Sequence, residues 1–142
     1  MMQWARLIQA AILGGLLATA MQTSALAEKS SASGVKAGVA AYRAGDDGAA
    51  WRLLKPAADD GTPKAQRYLA YLMLDGRAPK GDEANFEAGV ALLKQAAIAG
   101  DYAALIRLED LRRRQLAHSP GLDDMIEIET ARAEQGDPVA AW

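Results

Sequence analysis

The chain has 142 residues, with 16 basic and 18 acidic side chains, one His and no Cys, for a formal net charge of −2. A mildly acidic balance argues against nucleic acid or an anionic membrane as the main partner. The absence of Cys excludes disulfide staples and lipid attachment through a cysteine, and with a single His it leaves few good metal ligands.

The first element is a leader. Arg6 precedes the apolar run LIQAAILGGLLATAM at 7–21, and Ala25-Leu26-Ala27 has the small-x-small pattern that a signal peptidase reads. This predicts a signal peptide over residues 1–27, cleaved between Ala27 and Glu28. The run is short for a span of ~20 residues and no basic stop-transfer cluster follows, so no stable membrane span is expected after cleavage. The exported protein is expected in the periplasm or outside the cell. Residues 28–36, EKSSASGVK, read as a flexible linker, and 37–142 as one helical domain.

Helical periodicity begins at Ala37, with Val39, Tyr42 and Ala41 at three- and four-residue spacings and Gly45 as a stop. Asp46 or Asp47 caps the next helix, whose face carries Ala50, Leu53, Leu54, Ala57 and Ala58 up to Gly61. Thr62-Pro63 starts a third helix, about 63–75, carrying Ala65, Leu69, Leu72 and Met73. After a loop with Gly76, Pro79 and Gly81, a fourth runs over about 83–99 with Phe86, Val90, Leu93 and Ala97 on one stripe. Asp101 caps a fifth through about Gln115, and the His118–Gly121 turn leads to a sixth over about 122–135. Short connections favour antiparallel neighbours, so the pattern predicts an all-α fold of about three antiparallel helix pairs.

Self-similarity sharpens that expectation. Residues 53–65 (LLKPAADDGTPKA) and 92–104 (LLKQAAIAGDYAA) align at one offset, 100 − 61 = 39, and ARAEQGDPVA at 131–140 repeats the ending at 136 − 100 = 36. A period of this size marks units that bury their apolar faces against their neighbours.

The residues at 65–104 resemble the Sel-one-like repeat (SLR), a branch of the tetratricopeptide superfamily. Ala65, Leu69 and Gly76 match its first half; Asn85-Phe86 stands where Asp-aromatic is usual; Ala96, Ala97, Gly100 and Ala104 match its second half. Gly45-Asp46, Ala50, Ala57, Ala58 and Gly61 look like a partial preceding copy. Ala70, Met73 and Gly89 depart from the usual Gly, Tyr and Ala; the segment 104–136 keeps only Ala104, Leu108, Ala133 and Gly136, with Glu109 and Arg112 where the family has Gly and Tyr. The resemblance implies an α-solenoid that scaffolds or recruits other proteins, with no catalytic residues and no cofactor.

Asp46-Asp47, Asp59-Asp60 and Asp123-Asp124 are adjacent carboxylates, which on a helix do not face one another and make poor acid–base dyads. Arg112-Arg113-Arg114 is the densest charge, explicable by Glu109–Arg113 and Asp110–Arg114 pairs at i,i+4. Tyr68 and Tyr71 flank the Ala65/Leu69/Met73 stripe and, with Arg67, have interface chemistry. The expectation is a non-catalytic adaptor that binds a protein or peptide of the cell envelope, with Arg67, Tyr68, Tyr71 and Arg113 as its contact residues. Two alternatives are a small envelope hydrolase or ligand-binding enzyme, supported only by the carboxylates and His118, and a structural protein that self-associates through an open stack end and the stub 137–142.

Overall fold

In a computed structural model of the chain, the described residues are 31–79, 85–115 and 118–140. The leader, the cleavage site Ala27–Glu28 and the start of the linker lie outside them. Six helices and no strand are present among the described residues: α1 (31–44), α2 (Asp47–Asp59), α3 (Pro63–Leu74), α4 (Phe86–Ile98), α5 (Tyr102–Arg114) and α6 (Leu122–Glu134). The compact unit to which they belong begins at Gly34.

The stops and starts follow local chemistry. Asp46, Asn85 and Asp101 each accept a hydrogen bond from the backbone N–H three residues on, at 2.9, 2.8 and 3.1 Å. Such caps satisfy donors that the first turn leaves free. Thr62 precedes Pro63 as expected but makes no side-chain cap bond. At the repeated phrase ends, Gly61 and Gly100 have φ of 81° and 92°. The next residue's N–H then reaches back to Ala57 O and Ala96 O, both at 2.9 Å. This closing motif needs a left-handed residue, which Gly adopts without strain.

One boundary and one buried face differ from the sequence pattern. The polar stretch read as a linker is already helical from residue 31, because Val35, Gly38, Val39 and Tyr42 continue the apolar stripe at i, i+3, i+4 and i+7. Val35 is buried while Ala37 is exposed. On α2, Trp51 takes the buried flank beside Leu54, and Leu53 is left 39% exposed. Both lie beside the Ala50/Leu54/Ala57 stripe, so periodicity alone does not choose between them.

Packing proceeds mainly between chain neighbours: α2 on α3, α3 on α4, α4 on α5, with a smaller contact between α4 and α6. One apolar cluster joins α1, α2 and α3 around Leu54, Leu69 and Leu72; a second joins α3 to α6 around Leu93, Leu108 and Ile128. Small residues set the closest approaches. A Cβ on Gly38 would lie 2.6 Å from Leu54 Cγ, and one on Gly89 would lie 3.2 Å from the Ala70 carbonyl oxygen. Ion pairs between successive units add staples: Asp47–Arg77, Arg67–Asp101, Asp75–Arg107 and Lys94–Asp124.

The third pair departs from the expected arrangement. The backbones of α5 and α6 scarcely approach each other, whereas α3 and α4 pack along their length. Gly89 and Ala70, where α3 meets α4, correspond to Met125 and Glu109 at the 36- and 39-residue offsets. Glu109 and Met125 instead line a groove that stays open between α5 and α6.

Candidate functional site

Arg67, Tyr68 and Tyr71 stand one and four residues apart on α3, and α1 adds Tyr42 opposite them. The Tyr42 and Tyr68 rings meet edge-on with centroids 5.1 Å apart; Tyr71 lies 5.8 Å from Tyr68 and 6.3 Å from Tyr42. Edge-to-face contact places a ring's positive rim against a neighbour's negative face. Cations cover the trio. The Arg67 guanidinium lies 4.5 Å from the Tyr68 centroid and Arg77 lies 4.9 Å from that of Tyr42, both within cation–π range.

Each covering arginine is fixed from outside the cluster. Arg67 Nε donates to Asp101 Oδ2 at 2.9 Å, with side chains only 14% and 12% exposed. Asp101 also caps α5, so one carboxylate orders a helix start and locks Arg67. Arg77 is bidentate on Asp47, through Nε at 3.1 Å and Nη2 at 2.5 Å. Such a fork fixes the guanidinium plane as well as its position.

The phenols respond in opposite directions. Burial, then the Asp75 charge, pushes the Tyr42 hydroxyl above its ordinary value, against the Arg77 guanidinium. Burial also opposes ionisation of Tyr68, but the neighbouring Arg43 and Arg67 guanidiniums outweigh it, leaving that phenol lowered. For Arg67, burial disfavours the cation, and the Asp101 carboxylate with the neighbouring Tyr71 and Tyr68 more than compensates. The result is a ledge in which Tyr68 and Arg67 form the buried footing. Tyr42 and Tyr71 are half-exposed, and Arg43 is open to solvent.

Arg113 is elsewhere. It is exposed on the last turn of α5, beside a groove of about 330 Å³ lined by Tyr102, Leu105, Ile106, Glu109, Met125 and Glu129. The expected Glu109–Arg113 pair is replaced by Glu109–Arg112 at 2.7 Å, while Asp110–Arg114 forms as expected at 3.1 Å. Spacings of three and four both bring side chains together on a helix, and Arg112 offers its fork to Glu109 in two hydrogen bonds.

The adjacent carboxylates have separate local partners. Asp46 caps α2 while Asp47 holds Arg77; Asp59 pairs with Lys55 at 2.6 Å; Asp124 accepts from Gly121 N and Lys94. Among the described residues no group of His, Cys, Asp and Glu is placed to hold a metal ion. His118 is exposed in the turn before α6, at φ 64°.

Sequence reasoning missed Arg43 and Arg77 of the ledge, and placed Tyr42 on a helix stripe without giving it a partner. A signal for Tyr42 existed in its four-residue step from Gly38; none existed for Arg77, which sits in a loop 30 residues from Asp47. It also missed Arg132, a charged side chain only 4% exposed, which pairs with Asp137 beyond the end of α6. That pair ties the described part of the stub, 137–140, back to its own helix.

No family model, no curated protein and no solved structure matches this chain.

Proposed function

We propose that this chain is a non-catalytic protein- or peptide-binding module: a short SLR-like α-solenoid, exported to the cell envelope behind a cleaved leader, that uses the Tyr–Arg ledge as its contact surface. The observation that carries this reading is the half-exposed Tyr42/Tyr71 pair above a footing immobilised by Arg67–Asp101 and Arg77–Asp47. Tyr and Arg provide large, amphipathic contact area at low entropic cost once their rotamers are fixed, which is why they dominate binding hot spots. Alternating cations and carboxylates around the rings suit an extended peptide that offers backbone amides and a carboxylate near Arg43. Neighbour-to-neighbour packing and the 39- and 36-residue offsets support the solenoid.

The test is in-cell photocrosslinking. A photoreactive residue in place of Tyr71 should capture a discrete protein, and Arg43→Glu combined with Tyr42→Ala should abolish that adduct while circular dichroism is unchanged. Equal capture from position 52, exposed on α2, would remove the ledge reading. Amino-terminal sequencing of the same preparation should begin at Glu28; an intact Met1 would remove the export reading.

A further inference from the structure

Among the described residues, apolar exposure is concentrated at one end. Of the described large hydrophobic side chains that stand exposed, Tyr102, Ile106, Leu122, Ile126 and Val139 all belong to α5, α6 and the turn that follows; Leu53 alone lies elsewhere. The groove beside Arg113 adjoins a second one of about 480 Å³ over α6, lined by Leu122, Met125, Ile126, Thr130, Ala133 and Ala140. Contiguous apolar surface of this kind marks an interaction face.

Internal repetition identifies what kind of face it is. The start of α4 at Phe86 and the start of α6 at Leu122 differ by 122 − 86 = 36, the same offset as Gly100 and Gly136. At that offset Ile126 corresponds to Val90 and Ala133 to Ala97. Val90 is 7% exposed and Ala97 fully buried, in the cluster that joins α3 to α6. Ile126 is 55% exposed. The α6 face thus corresponds to the stacking face of the repeat, and among the described residues no helix lies on it.

We infer that a second copy of this chain covers it, through a two-fold interface in which α5 and α6 of one copy meet α5 and α6 of the other. Two observations select this occupant. First, head-to-tail stacking needs an apolar counterface at the α1/α2 end, and among the described residues that end exposes only Leu53 of the large hydrophobics. Second, the end face carries both signs of charge, with neither committed inside the chain: among the described residues Arg113 and Glu129 form no ion pair, although both line the groove. A two-fold interface must be self-complementary, and a face with one cation and one anion at different points along it meets that condition. Arg113 of each copy then faces Glu129 of the other, across a centre of Ile106 and Ile126. This surface is separate from the ledge, and a dimer formed here carries two ledges.

Sedimentation equilibrium of the purified chain is the test. A monomer–dimer equilibrium is expected with a dissociation constant of about 1–100 µM, the range of modest interfaces. Ile126→Asp should give a monomer with unchanged helicity. Arg113→Glu and Glu129→Arg should each weaken the dimer about tenfold, and the double variant should recover most of that loss. A wild-type monomer at millimolar concentration overturns the inference, as does assembly into open-ended polymers or a dimer indifferent to Ile126→Asp. Absence of recovery in the double variant overturns the two-fold pairing. Crosslinking from Ile126 to an unrelated protein, with no dimer, assigns the face to a different partner.

Discussion

Gly38 shows how much one missing methyl group decides. A Cβ there would enter the space of Leu54 Cγ and Cδ2, at 2.6 and 2.8 Å, and Leu54 is fully buried. The neighbour has no room to turn away. Gly38→Ala is therefore expected to destabilise the fold by about 1–3 kcal/mol despite its better helix propensity. Thermal unfolding of the variant decides this, and a higher Tm would show that α1 and α2 do not cross at that point. Arg132 illustrates the opposite case of a large residue retained inside. Its guanidinium is buried against Asp137, and Arg132→Met should release residues 137–140 while leaving α1–α4 intact. Hydrogen exchange that rises only after Arg132 is the expected pattern; a global rise would mean that the pair supports more than its own turn.

Element by element, the two halves of the chain differ in how their helices are held. Ala97 and Ala133 occupy equivalent positions on α4 and α6, yet the first is fully buried in the cluster of α3 to α6 and the second lines an open groove. Ala97→Leu should cost about 1–3 kcal/mol by overpacking, whereas Ala133→Leu should fall within about 0.5 kcal/mol of the parent, as surface changes do. Equal effects in a pair of thermal melts would contradict the stacking assignment. Acidity should separate α6 from the rest as well. Lys94, then the Gly121 N–H, lowers the Asp124 carboxyl; the Val139 N–H, then Arg132, lowers that of Asp137. A carboxyl depressed in the folded state stabilises it above the ordinary Asp range and loses that contribution as pH falls through the lowered folded value. Amide exchange in α6 is expected to rise below pH ~4 before exchange in α3 does. Simultaneous loss of protection in both helices would refute it.

At the scale of the whole molecule, the helix order and the turns were legible in the residues because each rests on local chemistry. Asp46 and Asp101 cap, Gly61 and Gly100 close, and the stripe on α3 follows its own spacing, while the Asn85 cap was missed and α4, expected from about 83, starts at Phe86. The ledge was half legible. Arg67, Tyr68 and Tyr71 are neighbours on one helix, so their proximity follows from a single element. Tyr42 and Arg77 join them only through the crossing of α1 with α3 and the Asp47 fork. Arg113 was grouped with the ledge by residue type alone, and the fold puts it beside the groove of α5 and α6 instead.

The sequence by itself determined that the chain is helical, most of the helix ends, and that its residues repeat, because caps, glycines and apolar periods act within a few residues. Tertiary structure alone decided which copies of the repeat are closed. Ala70 with Gly89 allows α3 and α4 to meet, whereas α5 and α6 scarcely approach and leave a groove between them. Side-chain bulk matters only where two helices cross, and a crossing is a property of two segments that no single stretch contains.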